Sequence, residues 1–118
     1  MSTLSVQCTV VELPASGIGL DIERRVGLAR PAARRAIDMT SDAALVISLD
    51  GWAGVNVLMI ETDTKVTAFI THADGTDQAI PVNDLLLLVC RSAPITALSL
   101  VRVAGQLAHV VLTLGQET

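Results

Sequence analysis

Apolar and polar positions along this chain recur mostly with a period of two, the spacing of a β-strand with one face covered. The pattern is clearest from Lys65 to Thr71, where Val66, Ala68 and Ile70 fall on one side and Thr67, Phe69 and Thr71 on the other. Ala73-Asp74-Gly75-Thr76 follows as the strongest hairpin turn in the sequence. Asp77 to Val82 is its expected partner strand, and Pro81 marks that strand as an edge or an end. Ser5 to Leu13 alternates more loosely and is halted by Pro14, while Val55 to Glu61 is apolar and β-branched until Thr62-Asp63-Thr64 breaks it. The last third reads as two strands, Ile95 to Val103 and Leu107 to Leu114, expected to form a hairpin reversed at Gly105. Leu98 and Leu100 lie on one face of it and Val101 and Val103 on the other, so it needs a second sheet on one side and has room for a neighbouring subunit on the other.

Three stretches are less decided. Leu20 to Arg30 carries a weak helical stripe (Ile22, Val26, Leu28) interrupted by Gly27, and an irregular arm is the favoured reading. Pro31 could open a helix, but a strand over Arg35 to Thr40, paired in a hairpin with Ala43 to Asp50, agrees better with the rest of the chain. Leu85 to Cys90 is a short run between Asp84 and Ser92, read as a buried strand with a one-turn helix as the fallback. Eight or so short strands punctuated by turns predict an all-β fold: a single antiparallel β-sandwich, Ig-like or jelly-roll-like, over residues 1–118, with an irregular N-terminal arm or loop at residues 14–35.

Composition narrows the function classes. The chain has 118 residues, of which 51% are apolar but only 2% aromatic, with one Trp, one Phe and no Tyr. The core must therefore be built from Ala, Val, Leu and Ile, and few flat rings remain on which bases or sugars could stack. A net charge of −4 disfavours phosphate neutralisation, so nucleic acid is not an expected partner. No apolar run approaches the roughly 18 residues needed to span a bilayer, and the N-terminus lacks a basic signal region, so a membrane partner and secretion by signal peptide are not expected. Charge is uneven along the chain: five arginines face three acids in residues 1–35, whereas Lys65, Arg91 and Arg102 face nine acids in the remainder. An arm of one sign and a body of the other suit docking between identical subunits. The candidate interface residues are Arg24, Arg25, Arg30, Arg34 and Arg35, together with Trp52, which either caps one end of the core or fills a subunit contact.

Candidate chemistry is sparse. His72, with Asp74 and Asp77 near a hairpin turn, has no established metal-ligand spacing, and turn carboxylates more often bond local backbone N–H groups. His109 reads as a sheet-face residue. Glu61 and Asp63 read as the polar lip of a turn rather than an acid–base pair, and the serines show no nucleophile elbow. Cys8 and Cys90 sit in apolar runs, as small buried hydrophobes do, and pairing either with a distant His is no more than coincidence would give. Gly17 and Gly19 lack the rest of a phosphate-binding loop. No catalytic, cofactor or metal site is expected, and no enzyme.

The segments SDAALVISLDG (Ser41 to Gly51), ADGTDQAIPVNDLLLL (Ala73 to Leu88) and PITALSLVRVAG (Pro94 to Gly105) resemble a pattern seen in small β-sandwich virion proteins of tailed phages, such as capsid decoration and head–tail accessory proteins. The shared features are a strand pair, a second hairpin, and a closing Ile-Thr-x-Leu-x-Leu-x-Arg strand followed by a glycine turn. The resemblance implies a non-catalytic structural protein of the virion, made in the host cytoplasm, that docks on itself and on a capsid or tail lattice protein. The runner-up is a small ligand-binding or sensory β-barrel with a pocket lined by Leu85 to Val89 and Val55 to Ile60; a metal-dependent cupin comes third and would need more His than are present.

Overall fold

Asp74-Gly75 forms the tip around which the sandwich is wound. Gly75 takes a φ of 86°, and the Asp74 carboxylate accepts the Thr76 N–H at 2.9 Å, which closes the turn. The protein is described here by a computed structural model, covering the backbone of residues 2–11 and 19–118 and the side chains of residues 3–5, 7 and 25–118. The described residues form ten strands: β1 (Ser2–Val11), β2 (Gly19–Leu28), β3 (Ala33–Met39), β4 (Leu45–Ile47), β5 (Val57–Thr62), β6 (Val66–His72), β7 (Asp77–Val82), β8 (Leu85–Val89), β9 (Ile95–Arg102) and β10 (Ala108–Gly115). From the tip outward, β6 pairs with β7, β5 with β8, β4 with β9 and β3 with β10, all antiparallel. Eight strands thus form one long antiparallel ribbon folded over on itself, the wrapping of a jelly roll. The contacts β5–β10 and β6–β9 stitch it into two four-stranded sheets, β3-β10-β5-β8 (sheet 1) and β4-β9-β6-β7 (sheet 2). The β-sandwich expected from the alternation is therefore the fold.

The core lies between the sheets and is aliphatic, as the composition requires. Leu58, Ile60 and Leu112 of sheet 1 face Ala68, Ile70 and Leu100 of sheet 2, and all six are at most 1% exposed. This packing corrects two expected hairpins. β9 and β10 do not pair with each other: the reversal at Gly105 (φ 77°) carries the chain from sheet 2 to sheet 1, and the two strands face each other across the core. Each has a buried row, Leu98 and Leu100 in β9 and Ala108 to Leu114 by alternate residues in β10, and stacking those rows removes more apolar surface from water than pairing the strands edge to edge. β3 and β4 likewise separate into different sheets. Arg102, at the end of β9, has a side chain only 10% exposed; it pairs with Asp42 at 2.9 Å, and Asp42 also accepts the Gly105 N–H at 2.9 Å, so one carboxylate pins this corner.

The stretch expected to be irregular is also regular. Leu20 to Leu28 lies in β2, which pairs with β1 from Ser2↔Leu28 to Val11↔Gly19 and with no strand of either sheet. Ten residues per strand at about 3.3 Å each make a ribbon roughly 30 Å long. The expected loop at Pro14 to Gly19 lies largely outside the described residues, as do the side chains of Cys8 and Arg24. At its base the ribbon sits on the outer side of sheet 1, where Val26, Leu28 and Leu4 pack on Val57. A Cβ on Gly115 would lie 3.3 Å from Leu28 and 3.4 Å from Leu4, so the absence of a side chain there lets the ribbon approach.

Asn56, 8% exposed, fixes this junction. Its backbone N–H donates to Gly115 O at 2.8 Å and its carbonyl accepts the Cys90 N–H at 2.7 Å. Its amide Nδ2 donates to Cys90 O at 2.8 Å, and its Oδ1 accepts the Glu117 N–H at 2.8 Å. The tail on either side of Glu117 then joins the end of the ribbon through Ala29 N–H to Gln116 O and Thr118 N–H to Gly27 O, both 2.9 Å. Replacing Asn56 with Ala removes the partners of two half-buried backbone groups, Cys90 O and Glu117 N–H, so Asn56→Ala is expected to cost about 1–3 kcal/mol in a urea titration. It should also speed amide exchange at Ala29 and Thr118 ahead of the core.

Candidate functional site

The outer face of sheet 2 is the surface least like a solvated one. The register aligns Val46, Ser99, Phe69 and Ala79 in one row across its four strands. Val101, Thr67 and Pro81 flank that row on one side, and Ala97, Thr71 and Asp77 on the other. Val46 is 76% exposed and Phe69 43%, while Asp77, the one charge among these ten residues, accepts the Thr71 hydroxyl at 2.8 Å. Four strands at about 4.8 Å and three rows at about 6.6 Å give a flat, nearly uncharged patch of roughly 400 Å². Six of its ten residues are apolar, and its area is about half of one side of a standard protein interface.

The outer face of sheet 1 divides in two. Toward β3 it is charged: Arg34 lies 3.7 Å from Glu61, and His109 Nδ1 lies 2.6 Å from Asp38. Asp63 accepts the His109 N–H at 2.8 Å and lies 4.0 Å from its Nε2. Toward β8 the face is apolar. Leu85, Leu87 and Met59 line one wall of a groove of about 470 Å³, and Leu4, Ser5 and Gln7 of the ribbon line the other. The pocket expected between the strands of Leu85 to Val89 and Val55 to Ile60 is thus on the outside: their inward residues fill the core, and alternate residues of the same strands line the groove.

The candidate interface arginines do not form one cluster. Arg30 stacks on Trp52 at 4.1 Å and donates to Gly51 O at 2.6 Å. Trp52 itself packs against the core, as a cap at one end. Arg35 donates to Ser48 O at 3.0 Å, tying β3 to the loop after β4. Arg34 and Arg35 therefore belong to the sandwich, whereas Arg24 and Arg25 belong to β2 of the ribbon. Sequence reasoning kept all five on an arm ending at residue 35 and began the next strand at Arg35; the strand begins at Ala33, which takes Arg34 and Arg35 into the sheet.

His72, Asp74 and Asp77 do not converge on a metal site. His72 is buried on the inner side of β6, with Nδ1 2.8 Å from Ala93 O and Nε2 2.7 Å from Gln78 Oε1. Its two carbonyl partners raise its pKa above 6.5, Gln78 most, against the opposing effect of burial. Among the described residues, no group of three or more His, Cys, Asp and Glu side chains could hold a metal ion. Cys90 is a free thiol whose pKa burial raises, the reverse of what an activated nucleophile needs. Among the described residues, no helix is long and apolar enough to cross a membrane. Comparison with family models, with curated proteins and with solved structures gives no match.

The titrating groups set a pH optimum. His109 has its pKa raised, chiefly by its hydrogen bond to Asp38, as His72 does by Gln78. Each contributes stability that is complete below the unfolded value near 6.5 and is lost as the pH rises through the higher folded value. Asp42, Asp63 and Asp74 have pKa values lowered below 3.8, chiefly by backbone N–H donors, so their contributions are lost as the pH falls through those depressed values. Urea titrations across pH are expected to place maximum stability between about 4 and 6.5. Asp38→Asn should bring the His109 NMR titration midpoint down while leaving that of His72 unchanged.

Proposed function

We propose that this chain is a non-catalytic structural protein that assembles through subunit interfaces, and specifically a virion component of a tailed phage, acting as a capsid decoration or head–tail accessory protein. The observation that carries the assembly reading is the flat outer face of sheet 2, where Val46 and Phe69 are exposed among small uncharged residues. A surface left in water gains nothing from such a face, whereas a second surface laid on it removes roughly 400 Å² from water on each side. That is about half of what one partner contributes to a stable interface, so a further element must complete the contact. The β1–β2 ribbon, which pairs with neither sheet, is suited to supply it. The virion assignment is supported by the resemblance of three sequence segments and by the jelly-roll wrapping, an architecture found in capsid proteins but also in lectins and cupins.

The test is the solution mass by light scattering over a concentration and salt series. A multiple of the 12.4 kDa chain mass is expected. Phe69→Glu and Val46→Asp, each on an exposed position, should lower that mass at unchanged thermal stability, because each leaves a charge desolvated at the contact. A monomer at every concentration would remove self-assembly from the reading.

A further inference from the structure

The two four-stranded sheets have four edges between them, and three of the four are blunted against pairing. β4 is three residues long, β7 carries Pro81 and Asp77, and β3 carries Arg34, Arg35 and Asp38. Short strands, proline and charge are the ordinary means by which an edge is kept from pairing with another chain. β8 has none of them. Its sequence is Leu-Leu-Leu-Leu-Val, it closes sheet 1 on the side away from β3, and Leu85, Leu87 and Val89 are 59%, 36% and 39% exposed. The direction of its free backbone groups follows from its neighbours. Cys90 N–H donates to Asn56 O and Asp84 O accepts from Thr62 N–H, so the even-numbered residues turn toward β5. Alternation leaves the N–H and C=O of Leu85, Leu87 and Val89 on the edge that no described strand pairs with.

We infer that β8 pairs antiparallel with β8 of a second copy of this chain, about a two-fold axis at Leu87, joining two copies of sheet 1 into one continuous sheet. This inference deepens the assembly reading and rests on it. Centred on Leu87, the pairing sets Leu87 opposite Leu87 and Leu85 opposite Val89, so all three residues with free backbone groups become hydrogen-bonded pairs. The same axis keeps their side chains on one face, where they continue the apolar part of the outer surface across the junction. Charge selects the direction. Asp84 precedes the strand and Arg91, which pairs with Glu117 of its own chain at 3.5 Å, follows it; antiparallel order sets Arg91 of each copy opposite Asn83 and one residue from Asp84 of the other, whereas parallel order would set like charges directly opposite. The strand is therefore self-complementary in hydrogen bonding, apolar side chains and end charge, which is what an isologous contact between identical chains requires.

A charge-swap at the axis tests it. Leu87→Glu and Leu87→Lys each place like charges against each other at the two-fold, and each alone is expected to halve the assembled mass. Mixing the two variants is expected to restore it, because only a contact in which residue 87 meets residue 87 converts both repulsions into one attraction. Amide exchange on the unmodified protein gives a second measurement: the edge amides of Leu85, Leu87 and Val89 are expected to exchange slowly in the assembled state. An assembled wild type whose mass neither variant changes, no recovery on mixing, or fast exchange at those amides would overturn the β8 pairing while leaving assembly through other surfaces standing. A wild type that stays monomeric throughout would overturn both.

Discussion

The buried side chain of Asn56 is the constraint on which the arrangement of the outer elements depends. It stands where the chain enters β5, and its backbone and amide together bind Gly115 of β10, Cys90 after β8, and Glu117 in the tail. An asparagine can serve three segments at once because its amide offers both a donor and an acceptor at one end. Burial makes that service compulsory, since a lone backbone group left in the apolar interior costs more than the bond gains. The tail held in this way is also the strip against which the base of the ribbon pairs, by the Leu28↔Glu117 bridge. A single polar residue thus links the end of β8, the end of β10 and the foot of β2.

The aliphatic core works by a different logic. With so few rings available, its density comes from β-branched and leucine side chains interdigitating between two sheets of the wound ribbon. The residues of β5 and β8 that point inward pack in the core, and the groove these strands line lies outside, against the ribbon. Three surfaces stand out by physical character: the uncharged outer face of sheet 2, the apolar half of the outer face of sheet 1, and the unblunted edge at β8. Each would be a liability in a permanent monomer and is an asset in an assembled one.

Much of the local structure was legible from the chain. Val66 to Ile70 alternates strictly because one face of β6 is wholly buried, so the strand and its Asp74-Gly75 turn could be read with their correct partner. Pro81 correctly marked β7 as an edge, since a residue without an N–H is tolerated only where no second neighbour needs one. His72 was read as structural; the partners it has in the structure, Ala93 O and Gln78, could not be named, because they reach it across the bulge at Thr71/His72 and the Pro94 turn. The five arginines looked like one arm because charge along a sequence does not report which residues a sheet takes up.

The amino-acid sequence by itself determined that this protein is all-β, where most of its strands lie, and that its core is aliphatic, because period-two alternation, turn residues and side-chain volume are properties of short stretches. Only the tertiary structure decided which strands are neighbours. Adjacent strands such as β9 and β10 carry the same alternation whether they pair edge to edge or face each other across a core. The choice between those arrangements is made by the total apolar surface that all eight strands bury together. The same holds for the surfaces: Leu85, Leu87 and Val89 read as core in the sequence, and their place on an open edge follows from the position of β8 at the end of sheet 1.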